Sequence, residues 1–256
     1  MANTFSNPLL IGSDPWVIKK DRFYYYTTLG NRVAIWKITE MSKLNSAPVT
    51  TIFSPAPATP NSSNVWAPEM HFLDGKWYVY YTAGSGPDDT QRSWVLENSN
   101  ADPLAGNWVD KGKIFTTDAD FWAFDGTVLE YNSNKYFIWS GRPILAVQNQ
   151  NIYIAKMTNP WTIEALAVKL TQPELSWELN GGPVNEGPQV LKNNSGKTFL
   201  IYSASGCWTD DYALGMLTLK RRRQSAAGCR LGKKYTTHLY KTTGQQCVRP
   251  RSQCIF

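Results

Sequence analysis

In the stretch Glu69-Met70-His71-Phe72-Leu73-Asp74-Gly75-Lys76-Trp77-Tyr78-Val79-Tyr80-Tyr81-Thr82, a run that opens on a carboxylate and continues apolar and a second, aromatic-rich run flank the dipeptide Asp-Gly. Aromatic and β-branched residues favour strands, and a short polar turn between two such runs closes a hairpin. Three other segments share the second run's pattern of a basic residue, alternating aromatics and a terminal Ser or Thr. They are Arg22–Thr27, Lys135–Ser140 and Lys197–Ser203. The leading basic residues lie 54, 59 and 62 positions apart. A strand candidate that begins with a carboxylate precedes each run: Asp14–Ile18, Glu69–Leu73, Asp125–Leu129 and Glu186–Leu191. Further strand candidates follow at Ala34–Ile38, Ser93–Glu97, Asn151–Ala155 and Tyr212–Leu219.

A repeat of about four strands in about 50–60 residues is the signature of a β-propeller blade. The sequence therefore predicts an all-β chain built from four such units. In a propeller the innermost strands line a central channel. An acid at the same position of each inner strand would set Asp14, Glu69, Asp125 and Glu186 around one mouth of it. The competing reading is a β-sandwich with coincidental acids. Extrapolating the spacing puts a fifth signature near residue 255, and nothing like it occurs there.

Composition narrows the function classes. The chain has 256 residues, 42% hydrophobic and 13% aromatic, with 11 Trp and 13 Tyr. That is ample for a buried core. The net charge of +6 divides unevenly, because residues 1–219 hold 16 Lys/Arg and 20 Asp/Glu, whereas residues 220–256 hold 10 Lys/Arg and no acid. A basic nucleic-acid binder is not implied by such an average. Arg221-Arg222-Arg223 and the cysteines Cys229, Cys247 and Cys254 belong to this tail, and their spacing fits no common zinc pattern. The expected division is a propeller over 1–220 and an unrelated basic segment, non-native or disordered, over 221–256. No apolar run approaches the ~20 residues of a membrane helix. Met1 to Val17 has neither the basic nor the apolar region of a secretory signal, so no location is assigned.

Carboxylates beside aromatic faces suit glycoside hydrolysis. One carboxylic acid protonates the leaving oxygen and a second carboxylate acts as base or nucleophile. The acid needs a raised pKa, which burial or a third carboxylate supplies. Carboxylate rings also bind cations, so the residues alone leave both open.

Four segments resemble the family-43 glycoside hydrolases, five-bladed propellers that act on arabinose- and xylose-containing polysaccharides. They are Gly12-Ser13-Asp14-Pro15-Trp16-Val17, Val65-Trp66-Ala67-Pro68-Glu69-Met70-His71, Phe124-Asp125-Gly126-Thr127-Val128 and Val184-Asn185-Glu186-Gly187-Pro188. Asn151–Ala155 and Tyr202–Thr209 are similar to the branch of exo-acting α-L-arabinofuranosidases. The resemblance covers roughly residues 5–220 and implies hydrolysis with inversion. It makes Asp14 the general base, Glu186 the general acid and Asp125 the third carboxylate that tunes and orients the acid. Inversion requires about 6.5–9.5 Å between acid and base.

Trp66, Glu69 and Trp16 are the candidate substrate-binding residues, with inter-blade packing the alternative for both tryptophans. Trp208 shares that ambiguity, Arg142 is a weaker pocket candidate, and His71 reads as a core histidine. The family carries a Gly-His-Asn segment whose His faces a central metal or water. No counterpart is present, since His238 sits in Thr-Thr-His-Leu, and no cofactor is expected. The implied partner is a carbohydrate of the arabinan or arabinoxylan type, not nucleic acid or membrane. A β-xylosidase, a catalytically inactive carbohydrate-binding propeller and a non-functional truncated product are the alternatives.

Overall fold

The computed structural model describes residues 7–115, 120–164, 167–220 and 230–233. They divide into two compact units, one ending at Ile114 and the other starting at Phe115. The first holds two four-stranded antiparallel sheets. One is β1 (Trp16–Lys20), β2 (Phe23–Thr27), β3 (Val33–Ile38) and β4 (Val49–Phe53); the other is β5 (Ser63–Leu73), β6 (Lys76–Gly84), β7 (Arg92–Asn98) and β8 (Val109–Ile114). The second unit holds β9 (Trp122–Tyr131), β10 (Asn134–Arg142) and β11 (Asn151–Asn159), with β12 (Thr162–Ile163) and β13 (Val168–Thr171) both paired to β11. Its other sheet is β14 (Asn185–Lys192), β15 (Thr198–Ala204), β16 (Ala213–Lys220) and β17 (Arg230–Lys233).

The four sheets are the four blades that the repeat predicts, and the chain is all-β. Each aromatic signature is the second strand of its blade, hydrogen-bonded on both sides. The turns behave as their residues demand. Asp74 (φ 50°) and Gly75 (φ 79°) join β5 to β6, and Asn132 (φ 48°) and Ser133 (φ 59°) join β9 to β10. Positive φ at both turn positions matches the twist of the flanking strands.

Apolar side chains of the central strands supply both cores, largely aromatic on β6 and largely aliphatic in the second unit. Trp77, Val79 and Tyr81 of β6 pack with Tyr25, Val33, Ile35, Met70 and Leu96 in the first unit. Ile138, Ile152, Ile154, Leu200, Tyr202 and Leu217 form the core of the second. Each such fully buried side chain contributes about 1.5–3 kcal/mol.

Register corrects one expectation. The four acids do not occupy one repeated position. Three inner strands carry a bulge in which two residues oppose one: Ala67-Pro68 between the pairs Trp66↔Thr82 and Glu69↔Tyr80, Asp125-Gly126 between Phe124↔Ser140 and Thr127↔Ile138, and Gly187-Pro188 between Glu186↔Ser203 and Gln189↔Ile201. The first bulge residue is left-handed in each case, with φ of 41°, 53° and 56°. Asp14-Pro15, with Asp14 at φ 51°, precedes β1 in the same relation to its blade. Asp14 and Asp125 therefore occupy the bulge position itself. Glu186 comes one residue before it, and Glu69 two residues after. A bulge re-aims side chains around it, so unequal positions on the strand give the carboxylates different surroundings.

The fourth blade continues past residue 220. Arg230–Lys233 pairs with β16 in the register Leu217↔Lys233 to Lys220↔Arg230. An edge strand needs only backbone partners on one side, and this segment shows no aromatic alternation by which the sequence could announce it.

Candidate active site

In the second unit, Asp125 and Glu186 come together through the bulges. The β9 bulge turns Asp125 toward β14, where its Oδ2 accepts the backbone N–H of Gly187 at 3.0 Å. Gly187 is left-handed (φ 56°), a conformation glycine adopts without steric cost. The third carboxylate is thus bonded to the peptide group immediately following the candidate acid.

Both oxygens of Glu186 are engaged. Gln150 donates from Nε2 to Oε2 at 2.7 Å, and Tyr212 donates from its hydroxyl to Oε1 at 2.8 Å. Gln150 is itself fixed, since its N–H donates to Pro183 O and its carbonyl accepts from Asn185 N, both at 3.0 Å. Burial, then the charge of Glu186, pushes the Tyr212 phenol well above its ordinary value; its hydrogen bond to Glu186 and the charge of Asp125 act the same way, and a hydrogen bond with Ser203 opposes them. Tyr212 therefore stays a neutral phenol at any working pH. A hydroxyl has one proton and two lone pairs. The same Tyr212–Glu186 contact can serve the carboxylate as donor or the carboxylic acid as acceptor, with Ser203 as the second partner.

Beneath Glu186 lies a fully buried polar network. Asn185, with no exposed surface, accepts from Thr171 Oγ1 at 3.1 Å and donates to Glu178 Oε1 at 3.3 Å. Glu178, equally buried, also accepts from Tyr202 OH at 2.8 Å and from the N–H groups of Glu174 and Leu175 at 2.9 Å each. Ser140 Oγ donates to Asn185 O at 2.8 Å. Four donors on one buried carboxylate make Glu178 an anchor for the strand start that carries Glu186.

In the first unit, Asp14 follows the buried Ser13, whose carbonyl accepts from Leu29 N at 2.8 Å and from Thr28 Oγ1 at 2.5 Å. These bonds hold Asp14 in its left-handed conformation. Trp16 donates its indole N–H to Met70 O at 2.7 Å, and its ring lies 4.9 Å from that of His71. The indole is thus engaged in packing the two blades together. Glu69 is buried, with Oε2 3.2 Å from His71 Nε2, and the imidazole also meets Tyr80 edge-on at 5.5 Å. Trp66 is half-buried on β5, just before the Ala67-Pro68 bulge. In the second unit the Arg142 guanidinium stacks on Trp122 at 4.1 Å.

Among the described residues, no group of three or more His, Cys, Asp and Glu side chains is placed to ligate a metal.

Sequence reasoning missed Gln150, Tyr212, Ser203 and Glu178. Gln150 lies in the polar run Gln148-Asn149-Gln150-Asn151, and Tyr212 reads only as the first residue of a strand candidate, so neither announces a bond to Glu186. Glu178 carries the one usable signal, an acid enclosed by Trp177 and Leu179.

The family model of the glycosyl hydrolases of family 43 matches residues 5–249. An extracellular exo-α-(1→5)-L-arabinofuranosidase of Streptomyces avermitilis is 42% identical over 222 residues, covering 84% of this chain and 45% of that protein. The α-L-arabinofuranosidase 43 of Humicola insolens is 38% identical, covering 85% of this chain and 46% of that protein. The chain thus spans about half the length of these two relatives. Among solved structures, an α-L-arabinofuranosidase from Lactobacillus brevis superposes with a TM-score of 0.83 at 34% identity, covering 93% of this chain and 77% of that one.

Proposed function

Because the chain belongs to family 43 of the glycosyl hydrolases, we propose that it removes terminal α-L-arabinofuranosyl residues from arabinan- or arabinoxylan-type glycans by hydrolysis with inversion. The relatives named as arabinofuranosidases support the substrate class. The observation that carries the mechanism is the bond from Gly187 N–H to Asp125, which couples one carboxylate to the backbone of another.

Glu186 acts as general acid. Its proton passes to the glycosidic oxygen as the bond from that oxygen to the anomeric carbon breaks. By the family resemblance Asp14 is the general base, which takes a proton from the water as its oxygen attacks the anomeric carbon. Asp125 stays anionic, and its nearby charge favours the protonated form of Glu186 before the bond breaks. Once the proton has left, the hydrogen bonds from Tyr212 and Gln150 stabilise the resulting carboxylate. Tyr212 then turns its lone pair back to Glu186 when the acid is re-protonated.

Hydrolysis of an aryl α-L-arabinofuranoside, an aryl β-D-xyloside and an arabino-oligosaccharide by the chain and its Glu186→Gln variant tests this reading. Turnover of the two arabinosides is expected, with the oligosaccharide reaction abolished in the variant. A good aryl leaving group needs less protonation, so the aryl arabinoside should suffer less. NMR detection of the first-formed anomer reports inversion. Turnover of the xyloside alone, or retention of configuration, defeats the proposal.

A further inference from the structure

Of the chain's eleven tryptophans, Trp208 alone is exposed, with 69% of its surface open to solvent. Its placement is nevertheless fixed. The turn from Gly206 to Thr209 is closed by Thr209 N–H and Oγ1, which donate to Gly206 O at 3.0 and 2.8 Å. One side of the indole runs along three glycines. A methyl group at Gly206 would fall 2.6 Å from Cε2, one at Gly181 3.1 Å from Nε1, and one at Gly182 3.8 Å from Cζ2. Gly206 has no positive φ to require glycine, so the approach of the indole is the reason a side chain is excluded there. Glycine costs chain entropy, and here that cost serves to place an indole that gains little burial in return.

The turn is also tied to the segment that leads into Glu186. Gly206 N–H donates to Asn180 O at 2.8 Å, Ser205 N–H to Val184 O at 3.2 Å, and Asn180 N–H to Ser205 Oγ at 3.1 Å. Val184 is two residues before Glu186, and Tyr212, four residues after Trp208, bonds to Glu186 itself. Four residues of chain span at most about 14 Å, so the backbone that carries the indole lies close to that of the tyrosine bonded to Glu186. The chain that follows Trp208 is polar, Thr209-Asp210-Asp211, and the turn before it bonds to the polar Asn180 through Gly206 and Ser205.

We propose that Trp208 is a stacking platform for a sugar residue of an arabino-oligosaccharide, on the leaving-group side of the scissile bond. This deepens the proposed function and rests on it for the identity of the sugar. A fixed aromatic face with a polar surround fits the C–H face and hydroxyl rim of a pentose. An exposed indole suits a residue beyond the terminal one, since the terminal residue must be enclosed by the carboxylates. Nothing in a monosaccharide reaches a second platform, so the contribution should appear only with chain length.

The test is binding in the Glu186→Gln background, which keeps the ligand from being consumed. Arabinose, arabinobiose and arabinotriose are titrated by intrinsic fluorescence and calorimetry. Arabinotriose should perturb the tryptophan emission, and Trp208→Ala should weaken its binding about fivefold to tenfold while leaving arabinose unaffected. Trp208→Phe should recover part of the loss, and Gly206→Ala, which displaces the indole, should mimic Trp208→Ala. Equal affinity for arabinotriose with and without the indole overturns the platform, as does failure of any arabino-oligosaccharide to bind. So does concentration-dependent self-association abolished by Trp208→Ala, which would assign the indole to a second copy of the chain. Hydrolysis by the unaltered chain is scored separately: turnover with Trp208-independent binding sinks the platform alone, and Trp208-dependent binding without turnover sinks the enzymatic reading alone.

Discussion

Asp125 and Gly187 are 62 residues apart in sequence, yet the carboxylate of one accepts the backbone N–H of the other at 3.0 Å. Each is the left-handed first residue of a bulge in its own inner strand. The repeated irregularity, rather than the regular ladder, is what brings Asp125 beside Glu186. Asp125→Asn keeps an oxygen able to accept this hydrogen bond and removes the charge. We expect its melting temperature to stay close to that of the parent and its kcat/KM on an arabino-oligosaccharide to fall about 100-fold. Asp125→Ala should lose both activity and stability. Full activity in Asp125→Asn would falsify the electrostatic role.

Tyr212→Phe separates the donor from the packing. Removing a hydrogen bond to the charged form of Glu186 makes that form less favourable, so the acid holds its proton to higher pH. The neighbouring Asp125 acts in the same direction, while Gln150 still stabilises the carboxylate. The alkaline limb of kcat/KM should therefore move up by about one pH unit. A pH–rate profile that falls in height without moving along the pH axis would leave Tyr212 a purely structural residue.

Glu178 should behave as an anchor. Glu178→Ala leaves the Tyr202 hydroxyl, the Asn185 amide and two backbone N–H groups without their acceptor, and should cost about 3–5 kcal/mol in urea unfolding. Tyr202→Phe removes one of the four donors and should cost about 1–3 kcal/mol. If both variants unfold at the urea concentration of the parent, the buried network contributes nothing to the fold.

Alkaline pH should unfold the protein through its tyrosines. Burial comes first among the causes that hold Tyr78, Tyr81, Tyr202 and Tyr212 above the ordinary phenol value, with Glu97, Asp110, Glu178 and Glu186 respectively adding negative charge. The unfolded chain ionises near pH 10. Stability linked to these groups is thus fully present below about pH 10 and is lost as pH rises toward the higher folded values. Urea unfolding at pH 8, 10 and 11 should show a falling midpoint. Phenolate absorbance from the buried set should appear together with loss of near-ultraviolet circular dichroism. Complete tyrosine ionisation in a still-folded protein would contradict the assignment.

The sequence by itself determined the blades, because strand signals are local. Side-chain alternation, Asp-Gly and Asn-Ser turns and the spacing of Arg22, Lys76, Lys135 and Lys197 depend only on residues close in the chain. It also singled out Asp14, Asp125 and Glu186, since each opens a recognisable segment. Only the tertiary structure decided their surroundings. It showed that the four acids occupy three different positions relative to the bulge, because register depends on which residues pair across strands. It bonded Gln150 and Tyr212 to Glu186 from 36 and 26 residues away, through polar side chains that no periodicity marks. It gave Trp16 a hydrogen bond to Met70 and left Trp208 open to solvent, a distinction that two tryptophans in aromatic-rich sequence do not carry. Hydrophobic pattern sets which strands form and which faces they bury; hydrogen bonds between distant loops and bulges set the chemistry, and those exist only once the sheets have packed.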